Sequence, residues 1–189
     1  MANALFISES TLKERSFISD NVDIKYLRET ILWAQDQHIQ RLTGSTLYEL
    51  LKTQVIANTL TAANTTLIND YIQPILIWRV TAESAYWSSN KLMNKGVTNL
   101  SSENSQLAGR ATIDALANKA NDKAEWYESR LVAFLCENEA DYPTYQNPGS
   151  GSDVIHPTRE AFTSAIFLGR TDRPTSFRQK YRDEQIDLN

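Results

Sequence analysis

The chain has 189 residues, 41% of them hydrophobic and 22% charged, with a formal net charge of -4 and a single cysteine. Its length suits one domain, or one domain with an appendage, and its apolar share is enough for a core; the acidic balance argues against a free-standing nucleic-acid binder with a basic face. One thiol excludes an internal disulfide or a cysteine-rich zinc site.

The first residues, Met-Ala-Asn-Ala-Leu-Phe-Ile-Ser-Glu, carry no basic stretch and no long apolar stretch, which predicts no secretory leader. No run of about 20 apolar residues occurs, which predicts no membrane span. Composition thus predicts an intracellular, soluble, mostly helical protein.

In chain order, Ser8 or Ser10 can cap a short first helix. Ile24, Leu27, Ile31, Ala34, His38 and Leu42 then recur at steps of three and four and mark one helix face. Asp20 or Asn21 can cap that helix, Gly44 stops it, and Ser45 caps a short helix over Leu47, Leu50, Leu51 and Val55. A third stripe is Ile68, Ile72, Ile75, Arg79, Ala82, Tyr86, Ser89 and Met93, widened by Leu76, Ile77 and Trp78, so this helix should be buried on two sides. Pro74 falls inside it and predicts a kink or break between Asp70 and Pro74.

The polar segment 94–105 reads as a long loop with an Asn-Lys-Gly turn. The last stripe, Ile113, Ala117, Ala120, Ala124, Tyr127, Leu131 and Phe134, alternates steps of four and three, and its alanines allow close approach at one end. Long helices are therefore predicted near 23–42, 65–92 and 109–138.

Four of the five prolines lie in residues 143–189, which read as an extended arm. Its one strand candidate spans residues 164–169, with Ile166 and Leu168 on one face and Phe167 on the other. A lone strand needs a partner, so the arm is expected to add to a neighbouring chain. The predicted fold is mainly α: a bundle of four to five helices in a body over residues 1–142, with a C-terminal assembly arm, 143–189, containing at most one or two short strands.

No chemistry-bearing constellation stands out, and no catalytic residue, metal ligand set or cofactor is predicted. His38 reads as a core or interface histidine and His156 as a surface residue. Cys136 has acidic neighbours, which would raise its pKa and make it a poor nucleophile. Glu125 and Glu128 are spaced as a catalytic pair could be, but they read as a solvated face pairing with Lys119, Lys123 or Arg130. Within residues 170–182, Arg170, Arg173, Arg178, Lys180 and Arg182 interleave with Phe177 and Tyr181, against one acid, Asp172. Such a segment can dock on an acidic protein surface or bind nucleic acid.

The phrases from Asp23 to Gly44, Ser45-Thr-Leu-Tyr, Tyr71-Ile-Gln-Pro, Asn94-Lys-Gly-Val with Ser102-Glu-Asn-Ser, and Ala124-Glu-Trp-Tyr-Glu-Ser-Arg-Leu with Asn138 and Tyr142-Pro-Thr-Tyr together cover roughly residues 8–146. As a set they resemble the phage head-tail connector (adaptor) family, particularly members from phages of Bacteroidetes. The resemblance implies a structural protein of the virion neck, not an enzyme. It implies a homo-oligomeric ring, usually of twelve copies, between the portal and a tail or second neck-ring protein, with DNA passing through its lumen unread. Candidate assembly contacts are Leu5, Phe6 and Ile7, Trp78 and Trp87, the strand residues Ile166, Phe167 and Leu168, and the basic-aromatic residues of the arm. Two other readings are a helical DNA-binding or regulatory module using residues 170–182, and a helical hydrolase, whose ligand cluster is not found.

Overall fold

The computed structural model describes residues 4–87, 90–93, 96–99, 109–151 and 153–158. Helices start where a side chain can accept from the free N–H groups of a first turn. Ser8 Oγ accepts from Thr11 N at 3.1 Å and opens α1, Glu9–Arg15. Lys13 of α1 donates to the carbonyls of Asp20 and Val22, at 2.7 and 2.8 Å, and closes the following loop. Asp23, rather than the expected Asp20 or Asn21, caps α2, Ile24–Ala34, by accepting from Lys25 N.

The helix continues through a π-helical turn, Gln35–Ile39, into α3, Gln40–Thr43, where Gly44 ends it as predicted. Gly44 has φ +78°, and a Cβ there would lie 2.8 Å from Pro157 Cδ, so both conformation and space require glycine. Ser45 is the first residue of α4, Ser45–Ala57, rather than its cap, and its Oγ accepts from Ile155 N. Leu27, Ile31, Ala34 and Leu42 of the predicted stripe are buried, whereas Ile24 is exposed.

The long apolar helix runs from α5, Ala62–Thr66, through a second π-helical turn, Leu67–Ile72, into α6, Gln73–Trp87. The expected break at Pro74 is replaced by this wider turn. In an α-helix the proline ring would meet the Asp70 carbonyl, and one extra residue per turn moves that carbonyl away. As predicted, α6 packs on two sides, against α2 and against α7, Arg110–Glu137. It ends at Trp87 rather than near residue 92. An antiparallel hairpin follows, β1 (Asn90–Met93) with β2 (Gly96–Asn99), in register from Asn90 opposite Asn99 to Met93 opposite Gly96. Met93 matched the helical stripe by spacing alone, and Gly96, read as part of a loop, is the first residue of β2.

The core gathers Leu12, Leu27, Ile31, Leu51, Leu67, Ile72, Ile75, Leu76, Val80, Leu131 and Leu135, all fully buried. Burying each such side chain contributes about 1.5–3 kcal/mol. The N-terminal segment joins this core by backbone hydrogen bonds to two glutamines. Phe6 N donates to Gln35 Oε1 at 2.9 Å, Gln35 Nε2 donates to Ala4 O, and Gln73 Nε2 donates to Phe6 O, both at 3.1 Å. Phe6 also meets the Tyr48 ring edge-on at 5.6 Å.

The expected departure of an arm at Pro143 is corrected for residues 143–158, which return to the body. Pro143 opens α8, Pro143–Gln146, and Tyr145 is fully buried. Thr46 Oγ1 donates to Pro148 O, Ser45 N donates to Ile155 O at 3.0 Å, and Thr158 N donates to Arg41 O at 3.1 Å. Prolines exclude a long helix here, but they leave carbonyls free to accept from the α3–α4 corner. The predicted strand at 164–169 and the segment 170–182 lie outside the described residues.

Ala117, Ala120 and Ala82 form a small second cluster between α6 and α7, with Trp78 packed against it. Ala120→Leu is therefore expected to overpack this contact and lower stability by about 1–3 kcal/mol, measured by urea unfolding.

Candidate functional site

Arg79 sits on the buried side of α6, between the turns of Ile75 and Ala82, where a guanidinium needs a partner. Glu128 supplies it from α7. Arg79 Nε and its terminal nitrogen Nη2 both approach Glu128 Oε1 at 2.8 Å, and Nη1 donates to Asn121 Oδ1 at 2.8 Å. The carboxylate is buried, 7% exposed. Its other oxygen, Oε2, accepts from Arg41 of α3 at 3.4 Å, and His38 Nδ1 lies 3.7 Å from Oε1. Four helical segments thus meet at one carboxylate.

The reading of Glu128 as part of a solvated face is corrected: it is the most buried acid among the described residues. Its signal lay in its spacing, between Ala124 and Leu131 on the apolar side of α7, just as Arg79 interrupts the apolar stripe of α6. His38 is half-buried, as a core or interface histidine should be. Burial, followed by the fields of Arg79 and Arg41, lowers its pKa from 6.5 to about 4, so at neutral pH its ring is uncharged.

This arrangement engages its acid with guanidinium groups and holds no paired nucleophile and base. Among the described residues, no group of three or more His, Cys, Asp or Glu side chains could hold a metal ion. The arrangement fixes one helix against another.

The surface differs in character. Trp33, Trp87 and Trp126 are 57%, 60% and 62% exposed, and Phe17 is 75% exposed. Of the predicted contacts, Trp87 is open, while Trp78 is partly covered, with Lys123 Nζ 3.8 Å above its ring and Phe17 6.0 Å away. Leu5 is half-buried. Phe6 and Ile7 are 3% and 1% exposed; they belong to the chain's own core and offer no free face. Ile166, Phe167, Leu168, Arg170, Arg173, Phe177, Arg178, Lys180, Tyr181 and Arg182 lie outside the described residues. Trp33 and Trp126 were missed because each falls off its helix's apolar stripe, and that position is itself the signal: a tryptophan on a polar face has no core to enter.

A hollow of about 300 Å³ lies between α2 and α4, with Trp33, Glu29, Asp36, Tyr48 and Lys52 on its walls. Tyr48 Oη donates to Asp36 Oδ1 at 2.6 Å, and burial together with this acid raises the phenol's pKa.

A family model described as a family of unknown function (DUF6712) matches residues 39–155. The match runs from the end of the first π-helical turn to the residue that docks on Ser45. No curated protein and no solved structure matches the chain.

Two outcomes are expected from the polar centre. Arg79→Leu should cost about 3–5 kcal/mol in urea unfolding, because it leaves a buried carboxylate poorly paired. Between pH 6.5 and about 4 the unfolded chain binds a proton at His38 that the folded chain does not, so stability falls as pH drops through that window. His38→Asn should lose less stability than wild type between pH 7 and pH 4.5.

Proposed function

The chain belongs to the DUF6712 family, and we propose that it is a structural subunit that works by self-association: a head-to-tail connector of a phage virion, forming a ring between portal and tail. In this reading the body is a bundle of four to five helices. The chain beyond residue 158 is its assembly arm, with at most one or two short strands. DNA crosses the lumen without being read.

The observation that carries the reading is the exposure of Trp33, Trp87 and Trp126 on a body whose buried ion pair is turned inward, at Glu128. Large aromatic side chains anchor protein interfaces, where burial of their rings outweighs the ordering of few rotatable bonds. The resemblance carried by the segments from Asp23 to Tyr145 gives that association its form, a ring, and its partners, a portal and a tail-side protein. The acidic excess of residues 1–142 suits a lumen that DNA must traverse, because phosphate-binding lysines and arginines would hold the duplex.

Native mass spectrometry and particle images of the purified chain test this reading. A closed ring of identical subunits is expected, and Trp87→Ala with Trp126→Ala should shift the mass toward monomer while leaving the helical circular-dichroism signal at 25 °C unchanged. A chain that stays monomeric at every concentration, or tryptophan variants that assemble as wild type does, would overturn it.

A further inference from the structure

We propose that in the free subunit the hollow between α2 and α4 receives the basic-aromatic segment 170–182 of the same chain. Three observations converge on this occupant. The first is charge. Glu29 and Asp36 stand at the hollow with no ion-pair partner among the described residues, and Lys52 is already paired with Glu49 at 3.0 Å. The segment brings five basic residues against one acid.

The second is shape and surface. Trp33 forms a wall of the hollow and is 57% exposed, so its ring face is open to a guanidinium or ammonium group. A cation on an open indole is stabilised by about 0.5–1 kcal/mol, and a nearby carboxylate adds to it. Lys52 already sits 5.0 Å over the neighbouring Tyr48 ring, the same kind of contact.

The third is reach. The last described residue, Thr158, is fixed to Arg41 O. Arg41 is five residues from Asp36 on the same helix, ~8 Å along its axis. The twelve residues from Thr158 to Arg170 span up to ~40 Å, enough to pass around a helix ~10–12 Å across. A tether of this length gives the segment an effective concentration on the order of millimolar at its own hollow, which favours the chain's own body over a second copy in dilute solution. The inference concerns the free subunit and does not depend on the ring.

Zero-length carbodiimide coupling of the full-length protein tests it, applied to an equal mixture of ¹⁵N-labelled and unlabelled chains refolded together. Amide crosslinks from Lys180 to Glu29 or Asp36 are expected, within chains of one isotope only. Trp33→Ala should lower their yield about two- to fivefold, the effect of losing the cation–ring contact, and raising salt to 1 M should lower it further. Mixed-isotope crosslinks would overturn the proposal in favour of a neighbouring subunit's hollow. Absence of any crosslink from Lys180 to these two acids, or a yield unchanged in Trp33→Ala, would also overturn it. Ring formation is read separately from the mass of the uncoupled sample, so failure of either reading leaves the other visible.

Discussion

The carboxylate of Glu128 is the point on which the arrangement of helices depends. It is 7% exposed, and a charge that far from water must be compensated where it stands. Compensation comes from α6 through Arg79 and from α3 through Arg41, so α7 can occupy only the register that brings Glu128 to both. Asn121, two turns earlier on α7, takes the remaining arm of Arg79 and fixes its plane. The neutral state of His38 follows from the same centre, since burial first and then the charges of Arg79 and Arg41 disfavour a protonated ring. Apolar packing supplies the bulk of the stability, and this polar tie adds a directional constraint to it.

The two π-helical turns serve a related purpose for the N-terminal segment. The first begins at Gln35 and the second ends just before Gln73. Both glutamines hydrogen-bond the backbone of the segment 4–6, which would otherwise enter the core with unpaired polar groups. Each widened turn adds a residue to the helix and so changes which side chains face inward beyond it. The second also accommodates Pro74. The N-terminal segment is consequently part of the body, and Phe6 and Ile7 contribute to folding rather than to an outer surface.

One buried ion-pair centre beneath a surface that carries open tryptophans is the feature from which the proposed role in assembly is drawn. The shifted histidine lies in an interhelical tie, and the hollow between α2 and α4 presents a tryptophan face, two carboxylates and the Tyr48 hydroxyl, whose pKa burial and Asp36 raise. Such a surface is suited to receive a cationic segment.

The helical class, the stop at Gly44, the double-sided burial of the helix around Ile75 and the close alanine contact of Ala117 and Ala120 were legible in the residue order. All of these rest on local periodicity or on the conformational limits of one residue, which need no knowledge of distant chain. Which elements met depended on packing across the whole chain. Glu128 found Arg79 across 49 residues of chain, Gln35 and Gln73 converged on Phe6, and residues 143–158 folded back on Ser45 and Arg41. Side-chain spacing shows that a charge lies on an apolar stripe, yet the identity of its partner depends on how whole helices pack, and that is settled by the summed burial of the core.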